Sequence, residues 1–311
     1  MLGNVLTINH NYNPVSERIN WGFIDKLKRH CKRYERIKVC HYDPIHDNFW
    51  YTTTPEIINE EYRPDLVLAH INYHPGYLDK LIWLIARIKA PVVWIVVDAP
   101  FKYGMRAYEK FYRNCKFDLA IMRAHLKRDD RSVWLPYSVD TEVFRPGNGG
   151  RFNKVGFAGT VRHVAYEDRR RYLEELKSMK LLRAQPGFRI IDRDYPKFLR
   201  SNTMGLTTTE FGNSRAKMYE YMASGCALLT TPFREKYKLF DETCWLEFKD
   251  AKDLRKKAAR LAEDPYLRDY LSGLALAQIK KRHTDAIRIN QFKLTLQEFM
   301  KGNPIPEFFR R

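Results

Sequence analysis

The stretch that decides the fold is Asn213-Ser-Arg-Ala-Lys-Met-Tyr-Glu-Tyr-Met-Ala-Ser-Gly-Cys-Ala-Leu-Leu-Thr-Thr-Pro232. Its first part predicts a short helix from Ser214 to Ala223, opened by an Asn or Ser N-cap and ended by Gly225. The apolar run Ala227 to Thr230 then predicts a buried strand. A helix that leads directly into a buried strand is the repeating unit of a parallel α/β sheet.

The same alternation extends over the rest of the chain. Upstream, the pattern predicts strands at Val5 to Ile8, Arg36 to His41, Asp65 to Ile71, Val92 to Val97 and Phe117 to Met122, and helices at Ser16 to Cys31, Tyr77 to Ile88 and Arg106 to Arg113. Nearer to the C-terminus, it predicts strands at Lys154 to Ala158, Phe188 to Ile191, Met204 to Thr208 and Cys244 to Phe248, and helices at Glu167 to Met179, Tyr195 to Arg200, Lys252 to Ala262, Tyr266 to Arg282 and Asp285 to Met300. The Val, Ile and Leu runs favour strands that are covered on both faces, as in parallel sheets.

One segment interrupts the alternation. Two prolines and three glycines fall between Leu135 and Gly150, and we place a domain junction there. We therefore expect an α/β protein with two doubly wound domains, residues 1–145 and 146–284, and a cleft between them.

Charge is the unusual feature of the composition. The chain of 311 residues has 55 Lys and Arg against 37 Asp and Glu, a net charge of +18, and residues 151–311 contribute +13 of it. With 44% hydrophobic residues the chain is globular, which excludes a disordered or low-complexity protein. The excess of cations indicates an anionic partner.

The cysteines and the N-terminus suggest where the protein acts. The five cysteines are an odd number without a C-x-x-C pair, which favours a reducing compartment and no structural zinc. The first ten residues lack the basic and apolar regions of a signal peptide, and charges interrupt the most apolar stretch, 81–97. We expect a cytoplasmic protein without a transmembrane segment, with peripheral membrane contact left open.

The predicted helix start at Ser214 is a candidate anion site. Free backbone N–H groups and the positive end of a helix dipole attract phosphates there. Arg215 and Lys217 lie in the first turn, a poor position for cations unless an anion is bound. Glu220 follows at a distance where it could accept hydrogen bonds from the vicinal hydroxyls of a sugar.

These residues also carry a resemblance to a known family. The block Arg215 to Thr231 closely resembles the signature of GT-B glycosyltransferases of the group 1 (family 4) type. Leu135 to Pro146 resembles the hinge segment of that superfamily, and Val155 to Arg162 resembles the first strand and loop of its donor domain. The tail around Arg282 and Arg288 is similar to the CgeB-like subgroup. The resemblance implies GT-B architecture, two Rossmann-like domains facing across a cleft, with a C-terminal helix in 285–311 crossing back to the N-terminal domain.

The resemblance also implies roles for individual residues. It assigns Glu220 to the ribose of a nucleotide-sugar, and the helix start, with Ser214, Arg215 and Lys217, to the diphosphate. In the loop after the first donor-domain strand it implies donor contacts from Gly159, Thr160 and the cation Arg162, with Arg169 or Arg170 in place of a later lysine. The family's paired glutamates enclose seven residues, whereas Glu210 and Glu220 enclose nine, so Glu210 reaches the donor sugar only if the loop is longer by two.

Two polar residues lie at the ends of predicted strands in the N-terminal domain, residues 1–145, which the resemblance makes the acceptor-binding domain. His70 and Asp98 are placed to orient or deprotonate an acceptor hydroxyl, and the family has a histidine near the reacting sugar at the position of His70. A structural His70 and a turn-capping Asp98 are the alternatives.

A metal is not expected. Asp192-Arg-Asp194 fits the D-x-D pattern of metal-binding GT-A transferases, but its place before a predicted helix favours capping. GT-B enzymes generally neutralise the leaving diphosphate with a helix dipole and cations. We expect no cofactor, only a nucleotide-sugar co-substrate, with UDP-glucose as one candidate.

The expected function is transfer of a hexose, with retention as in the resembled family, to a hydroxyl acceptor. The favoured acceptor is a hydroxymethylated base in DNA, with Tyr73, Tyr103 and Tyr108 available for stacking. One alternative is transfer to a lipid or polysaccharide at a membrane surface. Another is a non-catalytic nucleic-acid-binding protein on a degenerate GT-B fold, motivated by the altered glutamate spacing. The oligomeric state is left open.

Overall fold

The computed structural model describes residues 1–11, 26–43, 48–70, 78–96, 105–123, 129–159, 161, 167–184, 194–209 and 214–309. The chain divides into two compact units. The first consists of Met1–Pro136 and Ile289–Arg310, and the second is Tyr137–Arg288. Each unit has its own sheet and its own apolar core.

The sheet of the first unit has seven strands in the order β3-β2-β1-β4-β5-β6-β7. The strands are β1 (Leu2–Asn11), β2 (Cys31–Asp43), β3 (Asn48–Tyr51), β4 (Leu66–His70), β5 (Val92–Val96), β6 (Leu119–Met122) and β7 (Ser132–Trp134). All neighbours pair in parallel except β3, which is antiparallel to β2. Every residue of β4, β5 and β6 is buried, as predicted for strands covered on both faces.

Alternate residues of these strands face two different core clusters. Val67 and Trp94 pack with α1 (Leu78–Ile85) and α2 (Met105–Asn114). The described part of this unit also includes a 3₁₀ turn (Lys26–His30) and a π-helical segment (Ile57–Tyr62). Leu68 and Val93, one residue out of phase, pack with Phe292 and Leu296. The side-chain alternation of a strand therefore places helices on both faces of this sheet.

The sheet of the second unit is entirely parallel, in the order β12-β11-β10-β8-β9. Its strands are β8 (Phe152–Phe157), β9 (Leu182–Ala184), β10 (Asn202–Thr207), β11 (Ala227–Thr230) and β12 (Trp245–Glu247). Its helices are α3 (Glu167–Ser178), α4 (Asp194–Arg200), α5 (Ala216–Ala223), α6 (Lys236–Leu239), α7 (Ala251–Glu263) and α8 (Pro265–Arg282). Parallel neighbours in this sheet bring their carboxyl ends to one edge, where ligands are expected in α/β proteins.

The last helix, α9 (Asp285–Met300), crosses the division between the units. Its first residues belong to the second unit, and from Ile289 onward it belongs to the first, where Phe292 and Leu296 are buried in the core. In the described part of the chain, no helix has the length and apolar character needed to span a membrane.

The structure differs from the sequence-based expectations at several elements. Cys31 is not the end of a helix but the first residue of β2, where it pairs with Leu2. The sequence does not predict strands β3, β7 and β9. Each has only three or four residues, which is too few to show a periodic pattern of apolar side chains. The predicted strand 188–191 lies outside the described residues.

Residues 137–145, which the sequence assigns to the first domain, pack with the second unit. The Tyr137 carbonyl accepts a hydrogen bond of 3.3 Å from Arg288, and Val139 forms a β-bridge with Thr284. Phe144 contacts the ring of Tyr195 edge-on, with 5.8 Å between centroids. These contacts explain why the unit boundary falls after Pro136.

Candidate functional site

Helix α5 is seated unusually close to the sheet of the second unit. A Cβ atom on Gly205 of β10 would lie 2.3 Å from Cδ1 of Tyr221, so only glycine permits this approach. The Tyr221 hydroxyl donates a 2.9 Å hydrogen bond to the carbonyl of Gly156 in β8. The backbone of the helix is therefore fixed against the central strand β10 and its neighbour β8.

The C-terminal end of α5 is closed by Gly225, as the sequence predicts. Gly225 has φ of +74°, the left-handed conformation. The amide of Gly225 donates to the carbonyl of Met222 and the amide of Cys226 to that of Tyr221, both at 3.1 Å. This pair of bonds is the Schellman motif, which ends the helix and directs the chain into β11.

The N-terminal end of α5 differs from the prediction. Neither Asn nor Ser caps the helix, because Arg215 is the N-cap residue and makes no capping hydrogen bond through its side chain. Ser214 precedes it, and its amide and hydroxyl both lie near Oε1 of Glu235, at 3.0 and 3.4 Å. Tyr219 adds a 3.4 Å hydrogen bond to the Ser214 hydroxyl. The chain is thus held in place just before the positive end of the helix.

Glu235 was not recognised from the sequence. It is 1% exposed, and burial raises the pKa of its carboxyl group, while the bond from the Ser214 amide opposes this change. Among the described residues, its Oε2 atom has no hydrogen-bond partner. No local pattern marks this residue, because its contact with Ser214 joins positions 21 residues apart.

Two cations lie at the carboxyl edge of neighbouring strands. Lys217 donates from Nζ to the carbonyl of Ala158, just after β8, and a Cβ atom on Gly159 would lie 3.0 Å from that Nζ. Arg169 of α3 donates a 3.0 Å hydrogen bond to Oγ1 of Thr208, just after β10. Positive charge is therefore concentrated where a parallel sheet binds its ligands.

Glu220 is a buried carboxylate, 6% exposed, on the turn of α5 that follows Lys217. Its Oε2 accepts a 2.5 Å hydrogen bond from the hydroxyl of Tyr195. Burial raises the pKa of the Glu220 carboxyl group, and the Tyr195 bond and the nearby Lys217 charge act in the opposite direction. The sequence analysis did not identify Tyr195, whose hydroxyl donates this hydrogen bond to the Glu220 carboxylate.

Several predicted site residues lie outside the described residues: Asp98, Thr160, Arg162, Asp192 and Glu210, and also Tyr73 and Tyr103, together with the side chain of Tyr108. Asp194 of the D-x-D pattern is the first residue of α4, and its carboxylate pairs with Lys197 of the same helix at 3.2 Å. In the part of the chain that the structure describes, no group of three or more His, Cys, Asp or Glu side chains could hold a metal ion.

In the first unit, His70 is the last residue of β4 and is 8% exposed. Burial lowers its pKa to about 3, and the charge of Arg123 contributes in the same direction. Arg123, also 8% exposed, directly follows β6 and was not recognised from the sequence. The imidazole is therefore neutral at physiological pH and suited to hydrogen bonding.

Residues 144–293 match a family model described as glycosyl transferase-like. No curated protein matches the chain significantly. Among solved structures, HepE of Anabaena in complex with UDP-glucose is 12% identical, with a TM-score of 0.67 over 96% of this chain and 100% of that one. Sucrose-phosphate synthase of Thermosynechococcus elongatus is 10% identical, with a TM-score of 0.65 over 97% and 100%. The BGT of phage T4, in complex with UDP and Mn²⁺, is 12% identical, with a TM-score of 0.61 over 96% and 99%.

Structural similarity at sequence identities this low shows a shared fold and gives no information on the substrates of this chain. The family match extends from Phe144 to Lys293 and so includes α5 and most of the second unit. The CgeB-like subgroup stays a prediction. The chain therefore shares a two-domain, Rossmann-like α/β fold with these solved structures, and its residues 144–293 are similar to the glycosyl transferase-like family.

Proposed function

We propose that this protein is a glycosyltransferase that takes a sugar from a nucleoside-diphosphate donor bound by the second unit. The observation that carries the proposal is the arrangement on α5, where Lys217 reaches the loop after β8 and Glu220 is a buried carboxylate one turn later. This arrangement falls inside the segment 144–293 that matches the glycosyl transferase-like family.

In this proposal the cations and the helix start stabilise the leaving diphosphate. Lys217 and Arg169 lie at the same edge of the sheet as the positive end of α5. We add Arg162, Arg215 and the loop residues Gly159 and Thr160 as donor contacts, with Ser214 holding the helix start. Glu220 accepts hydrogen bonds from the ribose hydroxyls.

The proposed donor is a UDP-hexose, with UDP-glucose as the first to test. HepE of Anabaena, a protein of similar fold, has been solved in complex with UDP and with UDP-glucose. Transfer breaks the bond between the anomeric carbon and the diphosphate and forms one to the acceptor oxygen, whose proton leaves to a base. Because Lys217 and Arg169 can offset the charge of the diphosphate, we propose that transfer needs no metal. Activity that persists in EDTA is expected, and activity restored only by Mg²⁺ or Mn²⁺ would contradict this part.

The proposed acceptor is anionic and contacts the first domain, residues 1–145. The net charge of +18 supports an anionic acceptor, because Lys and Arg bind polyanions. His70 would hydrogen-bond the reacting partners as a neutral imidazole, and we propose Asp98 as the base and Glu210 as a contact to the donor sugar. A hydroxymethylated base in DNA is the favoured acceptor. The proposed location of the reaction is the cytoplasm. The same charge supports a lipid or polysaccharide at an anionic membrane as the second candidate.

The test is transfer of radiolabelled glucose from UDP-glucose to three acceptors: duplex DNA with hydroxymethylated pyrimidines, the same duplex without them, and anionic vesicles that carry glycolipid acceptors. Label on the modified duplex alone is the expected result, and label in the vesicles would favour the second candidate. Binding to DNA without any nucleotide-sugar turnover would instead indicate a non-catalytic binding protein. NMR of the product gives the anomeric configuration, for which we expect retention.

A further inference from the structure

The carboxylate of Glu220 has one well-defined neighbour that the proposed reaction does not use. The hydroxyl of Tyr195 donates to its Oε2 at 2.5 Å, and both residues are buried, at 5% and 6% exposure. Tyr195 belongs to α4 and Glu220 to α5, so the hydrogen bond joins two elements and 25 residues of sequence.

The ring of Tyr195 is itself fixed. Phe144 packs against it edge-on at 5.8 Å between centroids, and α4 also buries Phe198 and Leu199 in the same unit. A phenol held in this way has few conformations, so its hydroxyl can hold one oxygen of a flexible carboxylate at little further cost in entropy.

From this geometry we propose that Tyr195 is a positioning residue for nucleotide recognition: its hydroxyl fixes the Glu220 carboxylate so that the other oxygen faces the ribose hydroxyls. The inference rests on the proposed function, because it assumes that Glu220 binds ribose. Tyr195 itself need not contact the nucleotide. Without its hydroxyl, the Glu220 carboxylate would lose the hydrogen bond that sets its orientation, and the discrimination between ribose and deoxygenated sugars would weaken.

The protonation of Glu220 offers a second readout. Three charged or titratable groups act on its pKa from the elements around it. The Tyr195 hydroxyl from α4 and Lys217 from α5 both lower this pKa, and Asp285 from α9 raises it, in addition to the larger effect of burial. Removing the Tyr195 hydroxyl should therefore raise the pKa of Glu220, so that its ionised form is lost at a higher pH.

The experiment measures binding of UDP and of 2′,3′-dideoxy-UDP to the full chain by calorimetry. The variants are Glu220→Gln, Tyr195→Phe and, as a matched control, Tyr172→Phe. The control also removes the hydroxyl of a buried tyrosine of the second unit, but Tyr172 lies on α3, where its ring packs edge-on against Phe248 at 5.0 Å between centroids and its hydroxyl interacts with Arg171. Urea unfolding of each variant shows whether it is folded.

We expect UDP to bind wild type more tightly than dideoxy-UDP, and Glu220→Gln to remove the difference. Tyr195→Phe should reduce the ratio by about 3- to 10-fold, the effect of one hydrogen bond. It should also move the acid limb of UDP binding to higher pH. Tyr172→Phe should leave both quantities unchanged.

The outcomes separate the two levels of the proposal. If Glu220→Gln loses the discrimination and Tyr195→Phe keeps both the ratio and the pH profile of wild type, Tyr195 is structural and this inference is wrong, while the donor site stands. If Glu220→Gln retains the discrimination, the assignment of Glu220 to ribose is wrong and the inference falls with it. Equal loss in Tyr195→Phe and Tyr172→Phe would show a general effect of removing a buried tyrosine hydroxyl from the second unit and would also overturn the role of Tyr195.

Discussion

Replacing Lys217 by Met tests the electrostatic part of the donor site. The substitution removes the ammonium group that donates to the Ala158 carbonyl and retains most of the apolar length of the side chain. Two unit charges 4 Å apart attract each other by about 4 kcal/mol at an effective dielectric constant of 20. The lysine is partly exposed and already has a carbonyl partner, so we expect a smaller loss, about 1.5–3 kcal/mol, as for a hydrogen bond to a charged group.

This loss corresponds to a UDP affinity roughly 10- to 150-fold weaker. The assay is calorimetric titration with UDP, UMP and uridine, since only the first two carry phosphate. We expect a large effect on UDP and a change of less than about twofold for uridine, because the lost energy is that of a charged contact. Lys256→Met, on the exposed face of α7, is the matched control and should bind all three as wild type does. Equal weakening of UDP and uridine by Lys217→Met would refute the assignment of this cation to the diphosphate.

Three further substitutions test the fold around the site. Gly225→Ala places a side chain at φ of +74° and a Cβ atom 3.1 Å from Pro146 Cγ, so urea unfolding should show a loss of about 1–2 kcal/mol; an unchanged midpoint would disprove the need for glycine there. Gly205→Ala puts a Cβ atom 2.3 Å from the ring of Tyr221, and the displaced helix should lower stability by about 1–3 kcal/mol and weaken UDP binding, whereas wild-type values for both would show that α5 has room to adjust. The pKa of His70 is about 3 in the folded state and 6.5 in the unfolded chain, so the unfolded chain binds the proton more readily. As the pH falls below 6.5, this difference lowers the free energy of unfolding by about 1.4 kcal/mol per pH unit. His70→Asn should flatten the stability profile between pH 6 and pH 4, and a slope equal to that of wild type would contradict the buried neutral imidazole.

The elements that the sequence predicts well are those with a strong local pattern. The strand Ala227–Thr230 and the end of α5 at Gly225 follow from an apolar run and from a glycine that can adopt positive φ. Fully apolar runs such as Val92–Val96 likewise predict strands covered on both faces. Local pattern is less informative for β2, whose thirteen residues carry many charges, and for the three-residue strand β9.

The candidate site is only partly predictable for a related reason. Lys217 and Glu220 lie on one helix, and their spacing is visible in the sequence. Their partners are not, because Ala158 lies 59 residues from Lys217 and Tyr195 lies 25 residues from Glu220. Such contacts depend on how strands and helices are ordered in the sheet, which no local spacing encodes.

The most direct test of the central claim is a titration of the chain with UDP, repeated with the double variant Lys217→Met, Glu220→Ala. We predict that one nucleoside diphosphate, UDP first, binds wild type in a single site without added metal. We also predict that the double variant remains folded and loses this binding. Folded wild-type protein that binds neither UDP nor GDP nor ADP, with or without Mg²⁺, would contradict a nucleotide-sugar site in the second unit.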